Sequence, residues 1–313
     1  MGNQAVWGDK HYNSLNYYLR SKFQEKVYKI SVDAGFTCPN RDGSVGYGGC
    51  IFCSEKGSGD FAGMRNESIF SQVSRGAEYL KNKYKINKYI VYFQAFTNTY
   101  APVDELSEKY FEALSYPGVI GIAIATRPDC ISDEVIDLLI EIKKTHMLWV
   151  ELGLQTIHQD IAKLINRGYD LNCFDDTVAR LKQAEIDTVC HLILGLPYES
   201  HEMMKSSVRY VAQKRLWGIK LQLLHVIEGT KLADMYRKGL FTLMERDEYI
   251  KLVADCIEIL PPDMVIHRLT GDGPRDLLLG PKWSEDKINI LKDIENELKV
   301  RNSWQGKYFE PLA

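Results

Sequence analysis

Three cysteines in one loop are the residues of this chain best suited to chemistry. Cys38, Cys50 and Cys53 fall within Cys38-Pro39-Asn40-Arg41-Asp42-Gly43-Ser44-Val45-Gly46-Tyr47-Gly48-Gly49-Cys50-Ile51-Phe52-Cys53, just after an apolar, β-branched run. Thiolates are soft ligands that suit zinc and iron–sulfur clusters. Glycines let such a loop wrap a ligand and turn backbone N–H groups toward sulfur. A structural zinc site closes with four ligands, and no fourth Cys or His lies nearby in sequence. Three ligands on a four-iron cluster leave one iron open to a substrate or cofactor. The bland alternatives are a zinc site completed by a distant residue, or three unrelated cysteines.

The elements that must position this loop follow a rhythm of apolar run, turn and amphipathic stretch. Val27–Val32 reads as a first strand, with a helix near Ser68–Lys83 after the cysteine loop. Strands follow at Tyr89–Gln94, Val119–Ala125, Met147–Leu154, Thr188–Leu194 and Ile219–His225. Between them lie helices near Val103–Ser115, after Ser132, in segments from Gln159 to Ala184, and at Glu202–Lys214. Ser132 has the chemistry of an N-cap, with Asp133 and Glu134 in the first turn behind it. Strands this apolar are usually buried on both faces, as parallel strands are. Strand–helix alternation implies right-handed crossovers. Six units are too few for a closed eight-fold barrel. The expected fold is therefore α/β, a partial (β/α)6 barrel over 26–228, with a doubly wound sheet as the alternative. Residues 1–25 form a basic and aromatic N-terminal segment. Residues 229–313 form an α-rich extension closing one side of the barrel, with helices near Lys231–Lys238, Arg246–Leu260 and Ser284–Val300.

Composition narrows the class. The 313 residues carry 39 Lys and Arg against 42 Asp and Glu, for a net charge of -3. No global basic field points to nucleic acid, which leaves local basic faces. Cys130, Cys173, Cys190 and Cys256 stand singly, mostly in apolar stretches, and read as buried free thiols. An odd total of 7 cysteines and no apolar leader core argue against a disulfide framework and for a reducing cytoplasm. Gly2 is followed by Val6 where myristoylation wants Ser or Thr. No apolar run approaches the roughly 18 residues of a membrane span.

The cysteine loop resembles that of the radical S-adenosylmethionine (SAM) superfamily, in the branch containing the Elongator catalytic subunit and oxygen-independent coproporphyrinogen oxidase. The usual spacing there is CxxxCxxC, and Elongator-like members share the longer first gap seen here. Phe52 matches the aromatic residue before the third cysteine. The resemblance implies a [4Fe–4S] cluster on Cys38, Cys50 and Cys53, with SAM on the open iron. It also implies an electron donor of flavodoxin or ferredoxin type. Tyr92–Thr99 ends the second strand where the family binds the SAM amino group, which implies contacts from Gln94 and Thr97 along with Phe52. Thr126-Arg127-Pro128-Asp129 follows the third strand, as in Elongator-like proteins. Gln155 and Arg167 stand at the spacing of the SAM-binding Gln and Arg of the coproporphyrinogen oxidase. His191 falls where that relative has an Asp.

A narrower resemblance covers nearly the whole length. Asp33–Gly43 and His267–Asp276 are similar to the bacterial YhcC/YtqA-type radical SAM proteins. Gram-positive YtqA-type members are linked to tRNA wobble-uridine modification under the name MnmL. The implied step converts 5-carboxymethylaminomethyl-uridine to 5-aminomethyl-uridine. In the implied chemistry, reductive cleavage of SAM gives a 5′-deoxyadenosyl radical that takes a hydrogen atom from the substrate.

Each polar residue also has a plain structural reading. Gln155 and Arg167 could cap a helix or pair with Asp160, and His191 and His225 could be core histidines. Arg268, Asp272 and Arg275 form a charged, glycine-flanked turn after the barrel. It could be solvated, or it could meet a phosphate or substrate carboxylate. Lys10, Arg20, Lys22, Lys26 and Lys29 alternate with Tyr12, Tyr17, Tyr18 and Phe23. That pattern suits RNA contact and equally an amphipathic helix packed through its aromatics. Three functional readings follow: an enzyme on tRNA wobble uridine, a radical SAM enzyme on a small metabolite or tetrapyrrole, and a non-catalytic zinc or redox-sensing binding protein.

Overall fold

In a computed structural model of the chain, residues 7–311 are described. Gly2 and Val6 of the myristoylation reading lie outside them. The strands are β1 (Val27–Val32), β2 (Lys88–Phe93), β3 (Val119–Thr126), β4 (Met147–Gln155), β5 (Asp187–Leu194), β6 (Gly218–Leu223), β7 (Val226–Ile227), β8 (Val265–Arg268) and β9 (Leu278–Gly280). The helices are α1 (Leu15–Phe23), α2 (Ile69–Tyr84), α3 (Val103–Leu114), α4 (Asp133–Lys143), α5 (Gln159–Leu164), α6 (Leu171–Gln183), α7 (His201–Gln213), α8 (Lys231–Arg237), α9 (Arg246–Glu258) and α10 (Lys287–Val300). Seven strands make one sheet in the order β1-β2-β3-β4-β5-β6-β8, an α/β partial barrel. The expected six strands are all present. The seventh, β8, comes from the segment expected to be part of the helical extension. It pairs in parallel with β6, Gly218 opposite Val265 and Ile219 opposite Ile266. Arg268 thus ends a strand rather than sitting inside a turn.

The chain divides into two compact units. One holds the chain up to Tyr18, Leu154–Asn166 and everything from Cys190 on; the other holds Leu19–Gly153 and Arg167–Val189.

In the second unit, β1, β2, β3 and β4 pair in parallel, with Ser31, Tyr92, Ala123 and Trp149 in one row. Val91, Phe93, Ile122 and Ile124 are fully buried, as expected for strands covered on both faces. Helix α2 lies close on β1 because residue 76 is glycine: a Cβ there would stand 2.6 Å from Ile30 Cγ2. Hydroxyl caps start the helices, Ser68 Oγ accepting from Ser71 N at 3.1 Å and Ser132 Oγ from Val135 N at 3.4 Å. Each such cap contributes about 1 kcal/mol.

In the first unit, the chain ends are stitched to β8. Ile266 N donates to Asn13 O at 2.7 Å, and Asn13 N to Gln305 Oε1 at 2.8 Å. Gln305, fully buried, also donates to the carbonyls of Pro261 and Met264. Tyr12 is buried and Tyr18 meets Trp217 edge-on, so these aromatics of the N-terminal segment pack inward.

Candidate functional site

The cysteine loop leaves β1 at a point that is held on both sides. Gln72 of α2 accepts from Asp33 N and donates to Asp33 O, both at 2.9 Å. The loop then folds on its own backbone. Arg41 N reaches Cys38 O at 2.8 Å, Gly49 N reaches Asn40 O at 2.7 Å and Cys53 N reaches Cys50 O at 3.0 Å. The Arg41 guanidinium ties the far end, donating to Cys53 O at 3.1 Å and Ser54 O. These bonds fold residues 38 to 54 back on one another despite the long first gap.

The thiols of Cys38, Cys50 and Cys53 feel one another. Burial, then Cys53, pushes the Cys50 thiol up to about 12, Cys38 adding to the rise while Arg127 opposes it. The Asn40 amide donates to Cys50 Sγ at 3.7 Å. Deprotonating three neighbouring thiols, all only partly exposed, needs strong compensating positive charge, which iron supplies. Among the described residues, no three His, Cys, Asp or Glu side chains are grouped to hold a single metal ion. A cluster places each thiolate on a different iron and needs no convergence on one point. The donor set therefore fits an iron–sulfur cluster.

Two guanidiniums back the loop. Arg127 is 8% exposed and grips Asp129 with two bonds, at 2.9 and 2.6 Å. Its Nη1 donates to Arg167 O at 2.8 Å. Arg127 and Arg167 stack on the Tyr169 ring, at 4.9 and 4.6 Å from its centre. Gly168, at φ +85, makes this turn possible, since that backbone conformation is strained for a residue with a Cβ. Its own Cβ position would lie 3.2 Å from Asn40 Oδ1 and 3.3 Å from Arg127 Nη2. The arginine turn thus rests on the cysteine loop.

The residues singled out from the sequence divide between the units. Cys38, Cys50, Cys53, Phe52, Gln94, Thr97 and Arg167 lie in the second; Gln155, His191, Arg268, Asp272 and Arg275 lie in the first. Gln94 donates to Ser58 O at 2.8 Å, and Ser58 Oγ stands 3.7 Å from Cys53 Sγ. Thr97 is buried and its N–H bonds Thr37 O at 3.1 Å, next to Cys38. Arg167 is 1% exposed and its Nε donates to Tyr169 O at 3.0 Å. Gln155 ends β4 in the left-handed conformation, φ 62. His191 is half-buried on β5.

At the ends of β6 and β8, Arg268 pairs with Asp272 at 3.2 Å, and Lys287 donates to Asp272 at 2.7 Å. Arg275 is exposed. His225 is half-buried, its Nε2 has no hydrogen-bond partner, and burial, opposed by Asp272 and aided by Arg268 and Lys287, holds it neutral, down at about 4.

Sequence reasoning passed over several of these groups. Arg127 was visible in its motif but without a role. Lys287, Tyr169 and Glu199 carried no signal. Glu199 is a buried carboxyl bonded to the Thr156 hydroxyl, and burial raises it to about 7.

Residues 38–211 match the radical SAM superfamily and 216–300 the radical SAM C-terminal domain. The YtqA protein of Bacillus subtilis is 48% identical over 304 residues, covering 97% of this chain and 94% of its own. The tRNA uridine(34) acetyltransferase of Methanocaldococcus infernus is 28% identical over 182 residues, 57% of this chain and 34% of its own length. The archaeal Methanocaldococcus infernus Elp3 structure aligns with a TM-score of 0.70 at 21% identity, over 89% of this chain and 64% of that one, a likeness of fold. Three thiols in a cluster-ready loop, on a partial barrel matched along most of its length, place the chain in the radical SAM superfamily, among YtqA-type proteins, with a [4Fe–4S] cluster and SAM as its cofactors.

Proposed function

We propose that this chain is a tRNA-modifying radical SAM enzyme acting on wobble uridine, converting 5-carboxymethylaminomethyl-uridine to 5-aminomethyl-uridine. The observation that carries it is the cysteine loop on a chain similar to a tRNA uridine(34) acetyltransferase over 57% of its length. Cys38, Cys50 and Cys53 hold the cluster. Phe52, Gln94, Thr97, Gln155, Arg167 and His191 contact SAM. When bound, the cofactors supply a reducing electron, from a flavodoxin- or ferredoxin-type donor, and a radical able to abstract a substrate hydrogen atom.

The chain's own residues bind and orient. Gln94 holds the Ser58 carbonyl beside Cys53, and so fixes the loop around one cluster ligand. Arg167 offers a buried guanidinium suited to a carboxylate, as on the methionine part of SAM. Arg268 and Lys287 share Asp272, which leaves one net positive charge for the substrate carboxylate, with Arg275 beside them in sequence. The free thiols suit a reducing compartment, and the cytoplasm is the location put forward here. Among the described residues no helix is long and apolar enough to cross a membrane.

The test has two arms. Anaerobically prepared protein is expected to carry about four irons per chain and to form 5′-deoxyadenosine on reduction. tRNA from a strain lacking the gene is expected to accumulate 5-carboxymethylaminomethyl-uridine at the wobble position. Zinc without iron would remove the enzyme. Normal wobble uridines would remove the tRNA substrate and favour a small metabolite.

A further inference from the structure

At the opposite end of β1 from the cysteine loop, the fold gathers a basic, aromatic face. It lies where β1 and β2 begin, while the cysteine loop leaves the other end of β1, roughly 17 Å away along five residue steps. Val27 pairs with Lys88, which brings the end of α1 beside the end of α2. The Phe23 ring sits under Lys22 at 5.9 Å and under Lys88 at 5.7 Å. Tyr28 of β1 stacks on Tyr84 of α2 at 5.7 Å and 18°. Tyr79 meets Tyr84 edge-on at 6.4 Å. Lys83 lies 5.2 Å from the centres of both rings and donates to the Tyr79 hydroxyl at 2.8 Å.

The charge here opposes that of the chain. Lys22, Lys26, Lys81, Lys83, Lys85 and Lys88 stand against Glu78, Asp187, which faces Lys22, and Glu25, which pairs with Lys88 at 2.8 Å, on a protein of net charge -3. Lysines in the last turn of α2 complement the helix dipole, but that does not explain the rest. Tyr79 and Tyr84 are 55% and 43% exposed, more than packing on β1 requires. Lys85 caps α2 in the left-handed conformation, φ 57, where glycine is the unstrained choice.

We infer that this face, built from the ends of α1 and α2 and the starts of β1 and β2, is a docking surface for RNA. Lysines meet the phosphates, and Tyr79 and Tyr84 take unpaired bases. Lysines alone would suit any polyanion; exposed rings held by a lysine suit a chain whose charged groups alternate with flat bases. The inference deepens the tRNA reading and rests on it, assigning part of the same RNA to a surface away from the cysteine loop.

The test is fluorescence anisotropy of a labelled, unmodified tRNA transcript with anaerobic holoprotein, from about 50 to about 200 mM salt. The triple variant Lys81→Glu, Lys83→Glu, Lys85→Glu is expected to lose at least tenfold in affinity. Its log–log salt slope should fall by about two to three, near 0.7–0.9 per lost phosphate contact. Tyr79→Ala is expected to lose about fivefold or more, the effect of one base stack. Iron content and melting temperature report that both variants fold. Tight, salt-dependent tRNA binding that ignores the triple variant would overturn this face and leave the wobble-uridine reading intact. Competition by polyglutamate or phosphatidylserine vesicles as effective as by tRNA would make it a protein or membrane surface and overturn it too. Face-dependent tRNA binding together with normal wobble uridines in the deletion strain would spare the face and refute the activity.

Discussion

Glu199 should make the stability of this protein fall as pH rises through neutrality. Its carboxyl is mostly buried in the turn between β5 and α7, and burial lifts it from an ordinary 4.5 to about 7. One oxygen accepts from the Thr156 hydroxyl, which in turn accepts from His158 N at 3.1 Å; the other has no hydrogen-bond partner. An acid whose folded pKa lies above its unfolded value binds its proton more tightly when folded. Its stabilising effect is complete below 4.5 and disappears as pH rises through about 7. The gap between those values, at 1.36 kcal/mol per pH unit, amounts to about 3 kcal/mol. Glu199→Gln keeps an oxygen for Thr156 and removes the ionisation. Urea unfolding of the apoprotein at a series of pH values between about 5 and about 8.5 reads the effect. The wild type should lose about 3 kcal/mol more than Glu199→Gln across that range. Parallel pH profiles for the two proteins would refute the argument, because they would show that Glu199 ionises without penalty.

The cluster ligands come next: Ala in place of Cys38, Cys50 or Cys53 should abolish iron–sulfur absorbance. Ala at Cys130, Cys173, Cys190 or Cys256 should retain it, and the reverse pattern at Cys50 and Cys190 would mean that the ligands are wrongly chosen. Arg167→Ala should keep the cluster but weaken SAM binding by roughly 1.5–3 kcal/mol, the worth of a hydrogen bond to a charged group; unchanged affinity by calorimetry would remove Arg167 from the SAM site. Arg127, whose charge acts on the Cys38 and Cys50 thiols, should favour the reduced cluster. Arg127→Gln should lower its midpoint potential by about 59 mV, a tenfold shift in a one-electron couple, while Arg127→Lys keeps it; equal potentials in wild type and Arg127→Gln, read by electron paramagnetic resonance, would refute this.

Much of this protein is local and therefore legible along the chain. The strands β1 to β6 announce themselves as apolar runs, and Ser132 caps α4 as its hydroxyl and acidic first turn imply. The three cysteines lie within one loop, so their soft-metal chemistry is legible along the chain, and the resemblance to the radical SAM loop narrows it to a cluster. Other features depend on residues that only the fold brings together. Strand β8 is four residues long, and parallel pairing with β6 across 218–265 makes it a strand, which no local periodicity can signal. Arg127 acquires its place from Arg167 and Tyr169, some forty residues on, through a glycine turn. Phe23 gains Lys88, and Tyr28 gains Tyr84, because β1 and β2 are paired in one register. Glu199 titrates near neutrality only because its surroundings exclude water. Sequence determines which groups can do chemistry and which segments bury; long-range packing decides which charges share a low-dielectric space, and so their protonation, their partners and the surface they present.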